Sequence, residues 1–255
     1  MATAYHPTTD AHSSEAAITS RLLVTIATYN EIENLPDLVE QIFAQVPQAD
    51  ILVIDDNSPD GTGKWCDEYA AQDRRLSCLH RSGKLGLGTA TVAGMKHAIE
   101  HGYDLLINMD ADFSHHPRYL PAMLAASQNA DVVIGSRYVP GGGVKDWPLK
   151  RRMMSKAVNF YARWMLGLTP KDCSGAFRCL KVSRLEKVDL SNIRSRGYSF
   201  QEEILWLLKR AGATFTEVPI LFEDRLRGVT KINSKEAWAA LGIILRLGIK
   251  QWTGI

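Results

Sequence analysis

The sequence predicts an α/β fold in which a mostly parallel central sheet carries helices on both faces. Short apolar runs, Leu22 to Ala27, Ile51 to Ile54, Leu76 to Leu79, Leu105 to Met109 and Val132 to Ile134, have the length and unbroken hydrophobicity of buried strands. Between most of them lie segments with helical apolar spacing, and this alternation calls for crossover connections and a parallel sheet. Polar clusters follow four of the runs: Thr28–Glu31, Asp55–Asp60, Asp110–His116 and Gly135–Tyr138. Ligands of open parallel sheets bind beyond the carboxyl ends of the strands, so these clusters are expected to share one site.

Asn34 and Pro36 mark an N-cap and the start of the first helix, with Leu35, Leu38, Val39, Ile42 and Phe43 at helical spacing. Thr89–His101 and Pro117–Ser127 read as helices, as does Lys150–Leu166 with its basic start. Thr214–Phe222 reads as a strand, and Pro219 inside it predicts an edge or a bulge. Glu236–Trp252 reads as a closing amphipathic helix. Residues 1–20, rich in Ala, Thr, Ser and His, are expected to form a disordered tail before a single domain over 21–255.

The chain has 255 residues and a net charge of +2. That length supports a sizeable core, and the charge gives no reason to expect a nucleic-acid partner. No apolar run reaches the roughly 20 residues of a transmembrane helix, and the polar first residues do not resemble a secretory signal. Cys66, Cys78, Cys173 and Cys179 fit no paired zinc or redox spacing and read as reduced cytosolic thiols.

Asp110-Ala111-Asp112 leaves a strand directly. Two carboxylates flanking a small residue can approach a hard cation, and Mg²⁺ or Mn²⁺ favours such oxygen ligands together with substrate phosphates. The same pair also suits a receiver domain, a phosphatase or a helix cap. In Asp55–Gly61, Asp60 and Gly61 suit a turn while Asp56 is expected to face a ligand. Gly83, Gly86 and Gly88 around Lys84 match neither a Walker A loop nor a dinucleotide fingerprint. They suit a close turn into a helix or a phosphate cradle.

Together with Lys84–Ala90, Trp147–Arg151, Ser174–Arg178 and Glu217–Ile220, these stretches resemble the inverting family-2 glycosyltransferases. Among them, the resemblance is to polyprenyl-phosphate mannosyltransferases of the dolichol-phosphate mannose synthase type, over about residues 22–247. It implies a GT-A type fold and a nucleotide-sugar donor, GDP-mannose. It places Ala27, Tyr29, Glu31, Ile54 and Asp56 around the nucleoside, with Asp110, Ala111, Asp112 and Ser114 at the metal and diphosphate. Asp112 is expected as an exposed turn carboxylate, and Arg225 and Lys231 as part of a loop over the diphosphate. Ala27 stands where the family usually has Pro, and Ser114 where some relatives have Gln.

Arg137 ends a predicted strand, with Lys145, Lys150, Arg151, Arg152 and Lys156 close behind. Arg suits bidentate contact with phosphate; a solvated basic face is the alternative. The resemblance assigns Arg137, Arg151 and Ser155 to the acceptor phosphate, and Arg137 joins Asp110 and Asp112 in the expected catalytic set. A phosphate monoester is already anionic at neutral pH, so no general base is required. The aromatic and cationic residues of the helix near Met153 and of the closing helix suit a membrane interface. The expected placement is peripheral, on a cytoplasmic membrane face, with small membrane subunits as further partners implied by the resemblance. The rival expectations are a UDP-glucose donor, a hydroxyl acceptor, or a non-catalytic nucleotide-sugar-binding scaffold.

Overall fold

A computed structural model describes residues 20–253 except Arg194, Arg196, Tyr198 and 224–233, with backbone alone at 234–240. The expected tail, apart from Ser20, and the Arg225 and Lys231 assignments lie outside the described residues. The chain begins with β1 (Leu22–Thr28), α1 (Leu35–Gln45), β2 (Asp50–Asp55), α2 (Thr62–Ala70) and β3 (Leu76–His80). It continues with α3 (Leu87–Glu100), β4 (Leu105–Asp110), α4 (Leu120–Ser127), β5 (Val132–Ser136) and β6 (Gly143–Val144). Then come α5 (Leu149–Leu166), β7 (Arg178–Lys181), α6 (Val182–Leu185) and α7 (Phe200–Arg210). Last are β8 (Phe215–Pro219), β9 (Leu221–Phe222) and α8 (Ser234–Thr253).

Seven strands form one sheet in the order β3-β2-β1-β4-β7-β5-β8, and β6 pairs with β9 in a second. Only β7 runs antiparallel to its neighbours in the larger sheet. Its insertion between β4 and β5 was not expected, because a short strand flanked by Arg178 and Lys181 carries no long apolar run. The predicted 214–222 strand divides at Pro219: β8 is an edge strand and β9 leaves to pair with β6, as a residue without an N–H permits. Asn34 occupies the N-cap of α1 but makes no side-chain cap; its amide bonds Glu31 instead, at 2.9 Å. The predicted 117–127 helix is a 3₁₀ turn over Pro117–Tyr119 followed by α4.

One core cluster includes Val24, Ile26, Leu38, Ile42, Ile51 and Val53; the other includes Leu23, Leu52, Leu106, Ile134, Ile204 and Leu208. Complete burial of such a side chain is worth about 1.5–3 kcal/mol before entropy is counted. Helix α3 sits close to the sheet: a Cβ on Gly94 would lie 2.9 Å from Thr25 Cγ2 and 3.0 Å from Ile54 Cδ1.

Candidate active site

The strand order reverses at β1, with β2 added on one side and β4 on the other, all three parallel. A crevice opens beyond such a switch point. Ala27 pairs with both Ile54 and Asp110 there, so three sequence-selected residues stand at one level of adjacent strands. Each of these strands ends near a non-glycine residue with positive φ: Asn30 (61°), Asn57 (59°) and Phe113 (61°). For phenylalanine this conformation is costly, and such strain concentrates where loops are shaped for function.

On the β1 side, Tyr29 is exposed and its ring lies 4.4 Å from Lys84 Nζ. The Glu31 N–H donates to Thr62 Oγ1, and the Ile32 N–H to Asp60. Asp60 also accepts from the Thr62 N–H and hydroxyl and, with Gly61 at φ 95°, closes the expected turn. Asp56 is buried and stands 2.9 Å from Arg81 outside hydrogen-bond geometry. Burial raises its carboxyl pKa, and the Arg81 charge opposes this. Ile54 and Ala111 are packed in the core, so only their backbones can face the crevice. The glycine loop is explained by packing: Gly86 has φ 99°, and a Cβ on Gly88 would meet Phe200 at 3.0 Å.

Asp112 is 5% exposed, not the exposed turn carboxylate expected from sequence. It accepts from the Ser114 N–H at 3.1 Å and hydroxyl at 2.5 Å. Asp110 is more open, its side chain 29% exposed. Its N–H donates to His115 Nδ1 at 3.1 Å, and His115 stacks on Phe177. Sequence reading did not single out His115, although its position within the acidic turn was a signal. Asp110, Asp112 and Ser114 offer an all-oxygen donor set, which fits a hard divalent cation.

An aromatic layer links this turn to the basic region. The Phe222 ring lies 5.7 Å from His115 and 5.4 Å from Trp147. Arg151 stacks on Trp147 at 3.9 Å, and Arg137 lies 5.5 Å from both Trp147 and Phe222. Tyr138, 5.3 Å from Arg137, donates to Ser155 Oγ at 2.6 Å. The three acceptor residues chosen from sequence therefore share one cluster.

Arg137 is nevertheless committed to the protein. Its Nε and Nη2 each donate to Asp172 at 2.7 Å, and Nη2 also reaches Ser174. Burial opposes the Asp172 charge, yet Arg137 holds this carboxyl below the usual carboxylate range. Asn159 supports the same turn by accepting from the Cys173 and Ser174 N–H groups. Beside it opens a cavity of about 330 Å³ lined by Arg137, Tyr138, Lys156, Asn159, Phe160, Arg163 and Lys171, among others. Four of its lining residues are cationic and none is acidic. Arg163 and Lys171 escaped the sequence reading because one lies a full helix away from the basic start and the other in a loop. Behind this region, Arg178 and Glu202 are fully buried. Desolvation lowers the Arg178 pKa to about 10 and raises that of Glu202 to about 7.

A family model described as glycosyl transferase family 2 matches residues 23–189. The undecaprenyl-phosphate mannosyltransferase of Micrococcus luteus is 44% identical over 92% of this chain and 97% of its own. The polyprenol monophosphomannose synthase of Mycolicibacterium smegmatis is 44% identical over 91% of this chain and 88% of its own. Among solved structures, glucosyl-3-phosphoglycerate synthase of Mycobacterium tuberculosis with Mn²⁺, UDP and glucosyl-3-phosphoglycerate matches with TM-score 0.59 and 15% identity. That match covers 91% of this chain and 80% of the other. Its complex with Mg²⁺ and UDP gives TM-score 0.60 at 14% identity, over 91% and 79% of the two chains. These distant likenesses show the fold, which is of GT-A type. The chain belongs to glycosyl transferase family 2 and is a glycosyltransferase, with polyprenyl-phosphate mannosyltransferases among its relatives.

Proposed function

We propose that the chain transfers mannose from GDP-mannose to a dolichyl or other polyprenyl phosphate, with inversion, giving a polyprenyl-phosphate β-mannose. The observation that carries this reading is the position of the cationic cavity. Phe160 lines it and is 70% exposed, on a helix that also exposes Leu149, Met153, Met154 and Trp164. A phosphate with an apolar tail matches both halves of that surface; a free sugar hydroxyl matches neither. The names of the two curated relatives support mannose and a polyprenyl phosphate.

The donor is assigned to the crevice at Ala27, Tyr29, Glu31, Asp56 and the backbones of Ile54 and Ala111. Arg225 and Lys231 remain assigned to its diphosphate from sequence. Asp110, Asp112 and Ser114 would hold Mg²⁺ or Mn²⁺, which when bound supplies positive charge to the departing diphosphate. The acceptor phosphate is assigned to Arg137, Arg151, Ser155 and the cavity cations Lys156, Arg163 and Lys171. As an existing nucleophile it needs alignment rather than a base. Asp172 fixes Arg137 in orientation, a preorganised charge that does not have to be ordered when substrate binds.

Among the described residues no helix is long and apolar enough to cross a membrane. Helices α5 and α8 pack together, and Trp252 Nε1 donates to the Met165 carbonyl at 3.0 Å. With Phe160, Trp164, Ile249 and Trp252 exposed, beside Lys156 and Lys250, this pair suits an interface lying along a membrane. Peripheral placement follows from that reading, and the cytoplasmic face is retained from the sequence resemblance.

The test is transfer from GDP-mannose and UDP-glucose to a short prenyl phosphate, the matching prenol and a free mannoside. Turnover only with GDP-mannose and prenyl phosphate is expected. Preference for prenol or mannoside would refute the phosphate acceptor, and preference for UDP-glucose the donor.

A further inference from the structure

Helix α2 and strand β3 bring together side chains that lie apart in the sequence and outside the crevice. Asp67, Cys78 and His80 offer ligand atoms within 4.8 Å of one another. His80 Nε2 lies 2.9 Å from Asp67 Oδ1, and His80 Nδ1 lies 3.9 Å from Cys78 Sγ. Cys66 lies buried on α2, while Cys78 on β3 is only partly buried. The linear spacing of the cysteines gave no metal signature; the pairing of α2 with β3 creates the cluster.

We propose that Asp67, Cys78 and His80 form a binding site for a borderline-soft divalent cation such as Zn²⁺, separate from the oxygen-lined turn after β4. Thiolate, imidazole and carboxylate are all zinc ligands, whereas Mg²⁺ selects oxygen donors alone. Zinc bonds of about 2.0–2.3 Å place tetrahedral ligand atoms about 3.4 Å apart, so a cluster now within 4.8 Å must draw in by up to about 1.4 Å, with His80 turning one ring nitrogen toward both Asp67 and Cys78. The side chains that must turn are free to do so: His80 is 49% exposed and Asp67 61%. On binding, the Cys78 thiol proton passes to solvent and the thiolate takes up the metal. Three protein ligands leave the fourth tetrahedral position to water.

The experiment uses the full chain, reduced and stripped of metal, titrated with Co²⁺ and Zn²⁺ in excess Mg²⁺. One equivalent of Co²⁺ should bind with a thiolate-to-cobalt charge-transfer band in the near ultraviolet. Cys78→Ser should abolish the band. Cys78→Ser and His80→Asn should each weaken Zn²⁺ binding at least about a hundredfold, beyond the effect of losing an outer-sphere partner. Zn²⁺ should raise the thermal midpoint of the parent chain and leave both variants unchanged. Absence of the band in the parent, its survival in Cys78→Ser, or equal Zn²⁺ affinity in parent and variants would overturn the proposal. Circular dichroism of the metal-free variants separates loss of ligand from loss of fold.

Discussion

Replacing Arg137 by alanine should damage the fold before it damages transfer. The Arg137 side chain is 8% exposed and that of Asp172 is not exposed at all. Removing the guanidinium takes away both 2.7 Å bonds to the carboxylate. Asp172 is then left with the Arg137 and Gly175 N–H groups as partners. Breaking a buried pair from one side costs about 3–5 kcal/mol. At about 2–4 °C per kcal/mol for a chain of this size, the thermal midpoint should fall by about 6–20 °C. Scanning calorimetry of Arg137→Ala, Asp172→Ala and the double variant measures it. The double variant buries no lone charge, so it should be more stable than the sum of the single losses predicts. A midpoint within about 2 °C of the parent for Arg137→Ala, or strict additivity in the double variant, would refute this reasoning. The acceptor role proposed for Arg137 is therefore better probed through its neighbours.

Lys156→Ala and Lys171→Ala should each raise the KM for a short prenyl phosphate several-fold with little change for GDP-mannose, measured by varying each substrate in turn. Asp112→Asn should keep the Ser114 contacts through its remaining carbonyl oxygen. It should unfold within a few degrees of the parent and lose most metal-dependent turnover, checked by thermal scans and a Mn²⁺ titration of rate. Glu202 is an acid whose pKa burial raises from 4.5 to about 7. The native state thus holds this proton more tightly than the unfolded chain, and stability falls as pH rises from about 4.5 to 7, by roughly 3 kcal/mol in all. Thermal midpoints across this range should show that decline in the parent and a flatter profile in Glu202→Gln.

The outline of the candidate site was legible because its parts are local. Unbroken apolar runs ending in Asp, Asn and Glu mark parallel strands and the sheet edge where they end, and the β1 to β4 register sets Ala27 level with Asp110. What escaped depends on distant pairing. Arg137 reads as a free phosphate ligand until the turn holding Asp172 folds against it. Asp112 reads as exposed because sequence does not show the Ser114 turn closing over it. Strand β7, the buried Arg178 and Glu202, and the Cys78–His80–Asp67 cluster likewise arise from contacts between separate elements.

The central claim is that the cationic cavity beside the exposed face of α5 receives the acceptor phosphate. A crystal structure with GDP, Mn²⁺ and a short prenyl phosphate tests it most directly. The phosphate should lie within hydrogen-bond distance of Arg137 or Arg163, with the prenyl chain running over Phe160 toward Trp164. A phosphate bound instead beside Lys84 and Tyr29, with the cavity empty, would contradict the account.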